Sequence, residues 1–177
     1  MKNNFDKCMN LLFANEGVIS NNRHDTGGLT KYGITEKSWI AYKKNSFQQS
    51  NISISKITKE AAKKFYKKEF WNKLKCDNLP VGIDYLLFDA SVNSGRSQAI
   101  KWIQRVLLIA DDGIIGKETL KSINASLLRR STCMEFTLRR RLFVRSLDTY
   151  GVFGAGWEKR INLVNDDAIR MINEAAI

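Results

Sequence analysis

NFDKCMNLLFANEGVISNNRHDTGGLTKYGIT, residues 4–35, holds two patterns back to back, and their order sets the fold class. In the first, Phe5, Cys8, Met9 and Leu12 recur at the three- and four-residue spacing of one helical face. Asn3 or Asn4 can cap that helix and Gly17 stands just past its end, so a helix is predicted over 4–15. In the second, Asn21, Asn22, Asp25, Gly27 and Gly28 crowd into a short span, which predicts a shaped loop or a small β-hairpin. Nowhere else does the chain invite a strand. Thr35 can then cap a second helix carrying Trp39, Ile40 and Tyr42.

Working outward, a polar surface segment (45–55) leads to Thr58, a cap for a helix with Ala61, Ala62, Phe65, Tyr66 and Phe70 on its apolar face. Asp77-Asn78-Leu79-Pro80 breaks the pattern and is the best boundary between a first region, 1–80, and a second, 81–177. Beyond it, Ile83, Leu86, Leu87 and Ala90 form a helix apolar on several sides, ending near Asn93-Ser94-Gly95. Helices follow at 97–109, 117–129, 131–148 and 157–174. In the third of these Met134, Leu138 and Leu142 read as inward, with Arg139-Arg140-Arg141 solvated. The class is all-α with, at most, a small hairpin after the first helix.

Composition narrows the function. A chain of 177 residues suffices for one domain or two small lobes sharing a core. Lys and Arg total 29 against 18 acidic residues, a formal surplus of +11 that favours a polyanion: nucleic acid, an anionic membrane face or the bacterial wall. Cys8, Cys76 and Cys133 are far apart, and His24 is the one histidine, so neither a disulfide framework nor a metal site is expected. The first fourteen residues do not read as a secretory signal, and no apolar run approaches the roughly 20 residues that span a bilayer. The expected site of synthesis is the cytoplasm, without stable membrane insertion.

Glu16 is the residue whose placement asks for a reason. It follows an apolar-faced helix and precedes glycine, where the helix dipole opposes a negative charge, so its carboxyl is expected to keep its proton. Such a group can protonate a glycosidic oxygen. The next loop supplies a second carboxylate, Asp25, and a hydroxyl, Thr30, and glycoside hydrolysis commonly uses an acid on one face and a carboxylate on the other. On spacing alone, Asp25 before Thr26-Gly27-Gly28 is equally a turn former.

The pattern Glu16-x8-Asp25-x4-Thr30 is similar to the Glu…Asp…Thr arrangement of phage-type lysozymes, one residue shorter between Asp and Thr. EGVISNNRHDTGGLTKYGIT, residues 16–35, resembles the N-terminal signature of glycoside hydrolase family 108 muramidases: EGG, about six residues, then DPGGATKYGIT. Val18, Thr26 and Leu29 depart from it, and none removes a candidate catalytic group. FDASVNSGRSQAIKWIQRVLLIADDGIIGKETL, residues 88–120, resembles the peptidoglycan-binding region of that family at Asn93, Gly95, Gln104, Asp112, Gly113, Gly116 and Thr119. Gly156-Trp157-Glu158-Lys159-Arg160 resembles its GW-x-x-R segment.

The resemblance implies a lysozyme-like fold that packs both regions into one unit, with a muramidase activity needing no cofactor. Glu16 would be the catalytic acid, Asp25 would orient water or stabilise an oxocarbenium-like centre, and Thr30 would help place the water. Peptidoglycan strands would be the substrate, met in the periplasm or wall after export. The chain also resembles phage-derived muramidases that release exported toxins with or without a holin, which makes a holin or another export partner an implied companion. Tyr32, Trp39 and Trp71 are candidate sugar-stacking aromatics, although Trp39 and Trp71 read better as core. Asn93 and Arg96 are candidates to line the cleft, while Gly95 between them could equally be a helix stop. Two other readings compete: a basic nucleic-acid-binding helical protein, from the helix–turn–helix look of 104–123, and a peptidoglycan-binding protein without catalysis.

Overall fold

The structure, a computed structural model, describes residues 4–16, 19–20, 29–44, 53–127 and 129–176. Among them are eight α-helices and three two-residue strands, so the all-α expectation holds. The chain divides into two compact units, one of Phe5–Lys73 and one of Met1–Asn4 with Leu74–Ile177.

In the first unit, α1 (Phe5–Glu16) buries Phe5, Cys8, Met9 and Leu12, the face its spacing marked. β1 (Ile19–Ser20), β2 (Thr30–Lys31) and β3 (Ile34–Thr35) form an antiparallel sheet in that order. Helix α2 (Glu36–Lys44) starts where Thr35 Oγ1 accepts the Ser38 amide at 3.3 Å. Helix α3 (Lys59–Tyr66) starts where Thr58 Oγ1 accepts the Ala61 amide at 3.2 Å, and it widens into a π turn over Lys67–Trp71. Both capping threonines stand where the sequence placed them. Phe65 and Tyr66 meet edge to face at 5.4 Å, and Phe65 meets Tyr42 at 5.2 Å. Trp39 and Trp71 are buried, as core residues.

In the second unit, every residue of α4 (Ile83–Ser94) from Ile83 to Ser91 is buried. Around it pack α5 (Arg96–Val106), α7 (Arg129–Arg145) and α8 (Tyr150–Glu174). Helix α6 (Lys117–Ala125) completes the set. Fully burying side chains such as Leu86, Leu87 and Phe88 contributes about 1.5–3 kcal/mol each, which makes α4 the axis of this core. Trp102 of α5 meets Phe136 and Phe143 of α7 edge to face at 5.8 and 5.3 Å.

Two sequence expectations need correction here. Met134, Leu138 and Leu142 do not point inward; they are 61%, 43% and 58% exposed. The inward face of α7 is Cys133, Phe136, Thr137, Arg140 and Val144, with an arginine at its centre. That arginine answers a buried charge on α4, which no apolar count can register. Helix α8 begins at Tyr150, a full seven residues before the apolar pattern that marked it. Gly151, Gly154 and Gly156 disguised the start. At Gly154 the absent side chain makes room for the Tyr150 ring, since a Cβ would stand 2.7 Å from Tyr150 Cε2.

Cys8, Cys76 and Cys133 are buried free thiols. No helix among the described residues is long and apolar enough to cross a membrane.

Candidate active site

The β2–β3 connection is a two-residue turn closed by the Lys31–Ile34 pair, with Tyr32 and Gly33 at its tip. Both have positive φ, 54° and 76°, as hairpins of this length demand. Glycine adopts that conformation freely, but tyrosine must be held in it. Tyr66 Oη donates to the Tyr32 carbonyl at 2.9 Å, and the Tyr32 ring meets Phe13 of α1 at 5.6 Å. Phe13 also meets Tyr66 edge to face at 6.2 Å. One aromatic group from α1, one from the hairpin and one from α3 therefore fix the hairpin against α1. Lys31 Nζ donates to the Ser55 carbonyl at 2.8 Å and anchors β2 from its other side.

This scaffold carries the sequence candidates of the first unit. Glu16 is the last residue of α1. Thr30 begins β2, paired with Ser20 across to β1 and with Thr35 across to β3. Asp25 belongs to the stretch of sequence between Ser20 and Thr30. Asp25 itself lies outside the described residues, as does His24. Tyr32 is brought next to Thr30 by the turn, where its backbone does structural service.

The other two candidates, Asn93 and Arg96, belong to the second unit and flank Gly95. Gly95 has φ 84° and ψ 148°, the break that lets α4 end and α5 start one residue apart. Asn93 is exposed, and its Nδ2 donates to the Asp89 carbonyl at 2.8 Å. Arg96 is half-buried at the first position of α5.

Sequence reasoning missed the strongest electrostatic feature. Asp89, in the middle of α4, is 0% exposed. Arg140 Nη1 lies 2.8 Å from its Oδ1, and Arg160 Nη2 and Nε lie 2.6 and 3.1 Å from its Oδ2. Burial alone would raise the pKa of this carboxyl; the two guanidiniums outweigh it and hold the pKa below the ordinary value. The missed signal was an aspartate inside an otherwise apolar helix, which requires a cation to partner it. Asp84, one turn earlier, is governed differently. Burial pushes its pKa up to about 6, although it accepts from Asn4 Nδ2 and from the Gly82 and Tyr85 amides at 2.7–2.8 Å.

Several positions of the 88–120 stretch turn out to be neighbours. Gln104 Nε2 donates to Asp112 Oδ1 at 2.7 Å and lies 3.1 Å from Thr119 Oγ1, while its Oε1 accepts the Gly113 amide at 2.9 Å. Asp112 Oδ1 also accepts the Ile114 amide at 2.8 Å. Gln104, Asp112, Gly113 and Thr119 are thus a hydrogen-bonded staple that closes the connection between α5 and α6. Trp157 and Arg160 of the GW-x-x-R segment line a cavity with Asn93, on the same side of α4 as Asp89.

Residues 9–95 match the model of the glycosyl hydrolase 108 family. That segment, just under half of the chain, is of the glycosyl hydrolase 108 type. The chain is accordingly a glycoside hydrolase and, in general terms, a peptidoglycan hydrolase. The match runs from Met9, within α1, through the hairpin, α2 and α3 to α4, ending at the Gly95 break. Among solved structures the chain is similar to SagA of Brucella abortus, with 29% identity and a TM-score of 0.88 over 100% of both chains. No curated protein sequence matches it. Among the described residues, no group of three or more His, Cys, Asp or Glu could hold a metal ion.

Proposed function

We propose that this chain is an N-acetylmuramidase that cleaves the bond between N-acetylmuramic acid and N-acetylglucosamine, with Glu16 as general acid. The observation that carries the reading is the span of the family match, 9–95, which takes in Glu16, Asp25 and Thr30 together. The position of Glu16 suits the role. It closes α1, just before the segment that carries the hairpin and Thr30. Glu16 gives its proton to the departing glycosidic oxygen. Asp25 orients water or stabilises the oxocarbenium-like centre, and Thr30, held by two strand pairings, helps place that water. Tyr32, Asn93 and Arg96 contact the glycan. Catalysis belongs to residues 1–80 and wall binding to 81–177, with no cofactor or metal involved.

The biological setting that fits is lysis, or release of an exported toxin through the wall, with a holin or another export partner carrying the enzyme from cytoplasm to periplasm. The nucleic-acid reading, which rests on the look of 104–123, gains no open basic run from α7. Of the run Arg139-Arg140-Arg141, Arg140 pairs with Asp89 and Arg141 Nε pairs with Glu158 at 2.8 Å.

The decisive experiment compares wild type with Glu16→Gln in digestion of purified sacculi, with thermal melting as the control for folding. The substitution keeps shape and removes the acidic proton, so digestion should fall by at least a hundredfold while the melting temperature holds. A folded Gln variant with near-normal turnover would remove Glu16 from the mechanism. Asp25→Asn should also be severe, and full activity there would assign Asp25 to the turn.

A further inference from the structure

Helix α7 buries one face and leaves another bare. Met134, Leu138 and Leu142 recur every fourth residue, so their side chains line up along one side of the helix over about 12 Å. Single exposed leucines are ordinary on a protein surface, but an aligned apolar row marks a place where something docks. Ser131, three residues before Met134 and on the same side, lines a cavity of about 480 Å³ with Leu127, Arg129, Arg130, Ile172 and Ala175. Leu127 there is 93% exposed. The charge beside the row is positive. Glu135 is the one acid of α7, and Arg141 and Arg145 share the single carboxylate of Glu158. Arg130 bonds to the neutral amide of Asn173, and among the described residues Arg129 and Arg139 pair with no acid.

We propose that the outer face of α7 docks on an anionic lipid surface. Met134, Leu138 and Leu142 enter the boundary between headgroups and acyl chains, and the surplus arginines meet the lipid phosphates. Leu127, beside Arg129 and Arg130, repeats the same pairing of apolar and basic groups at the start of the helix. A second copy of the chain fits this face less well, because it would set one arginine-rich helix against another. The attachment is peripheral. Phe136 and Val144 keep the opposite face of α7 in the core, and no helix among the described residues is long and apolar enough to cross a membrane. The inference stands on the exposure and charge of α7 and not on the muramidase reading.

The test is sedimentation of the full chain with vesicles of pure phosphatidylcholine or of an equimolar mixture of phosphatidylcholine and phosphatidylglycerol. At physiological ionic strength the wild type should bind the mixed vesicles at least ten times more tightly than the neutral ones. Met134→Gln with Leu142→Gln changes the two barest positions of the row and keeps every charge. Binding to the mixed vesicles should fall at least tenfold in that variant with the melting temperature kept; if the pair melts lower, Leu142→Gln alone gives the same readout. Leu108→Gln alters a 90% exposed leucine between α5 and α6 and should leave binding unchanged. Undiminished binding in the folded α7 variant would show attraction by net charge alone and overturn the proposal. Equal binding to both vesicle types, or an equal loss in Leu108→Gln, overturns it too. Sedimentation velocity without lipid covers the remaining occupant: a wild-type dimer that the α7 variant dissolves assigns the row to a second copy and overturns the lipid surface.

Discussion

Replacing Asp89 by asparagine would remove one charge at constant volume and leave two arginines facing each other in a dry interior. With guanidinium nitrogens at 2.8 and 2.6 Å, the charge centres lie about 4 Å apart, worth about 4 kcal/mol of attraction per pair at an effective dielectric of about 20. The Arg160 share is smaller, because that side chain is 14% exposed and partly solvated. Much of the attraction offsets the desolvation of all three groups, but desolvation remains after the carboxylate is gone. The expected loss is therefore about 3–5 kcal/mol, the usual result of stranding a buried charge. Against a total stability of about 5–15 kcal/mol that is a large fraction, and it corresponds to a melting shift of roughly 6–20 °C. Urea unfolding followed by circular dichroism at pH 7 would measure it. The loss should persist in high salt, since buried pairs are poorly screened. Asp111→Asn, which breaks the exposed pair with Arg105, should leave the midpoint in place. Adding Arg140→Met to Asp89→Asn should recover part of the loss, because one stranded charge then disappears. An Asp89→Asn protein within about 1 kcal/mol of wild type would refute the reasoning.

Three further outcomes are expected. Asp84, with its folded pKa near 6 against 3.8, binds a proton more readily folded than unfolded, so its penalty is absent below pH 3.8 and grows to about 2–3 kcal/mol as pH rises through 6. Wild type should thus melt higher at pH 5 than at pH 7 relative to Asp84→Asn, and parallel pH profiles would contradict this; Asp89, with a depressed pKa, withdraws its own stabilisation only below the ordinary carboxyl value. Gly82→Ala should destabilise by about 2–4 kcal/mol in denaturant titration, because φ is 89° and a Cβ would meet the Ala168 carbonyl at 2.5 Å; a loss below about 1 kcal/mol would show that the helix yields. Tyr66→Phe removes the bond holding the Tyr32 carbonyl, so about 0.5–1.5 kcal/mol of stability and part of the sacculus activity should go together, and unchanged activity in the variant would free the hairpin from any positioning role.

The elements that were legible in the sequence are those whose stability is local. Thr35 and Thr58 announce their helices because a cap is a contact within four residues, and the face of α1 follows from spacing alone. The face of α7 was not legible, because the polar residue that turns it inward answers Asp89, 51 positions earlier in the chain. The first two turns of α8 were hidden for a related reason. Gly154 is tolerated there by the ring of Tyr150, a contact that propensity ignores. At the candidate site, the motif displayed Glu16, Asp25 and Thr30 directly. What it could not display was the support of the β2–β3 hairpin, the Phe13, Tyr32 and Tyr66 contacts, since aromatic side chains in a motif look the same whether they hold a substrate or a hairpin.

Helices as long as α7 and α8, 17 and 25 residues, bury faces on which apolar residues recur, and such faces can slide. A slip of one turn moves a helix about 5.4 Å and still covers most of its apolar surface. The arginines forbid it. Arg140 meets Asp89 in only one register, and Arg141 and Arg145, one turn apart on α7, must close together on Glu158 of α8. A slipped α7 would withdraw its guanidinium from Asp89 and abandon one contact to Glu158 at the same time. The ion pairs therefore act as a vernier for the helix pair, selecting one alignment among several that hydrophobic packing alone would accept.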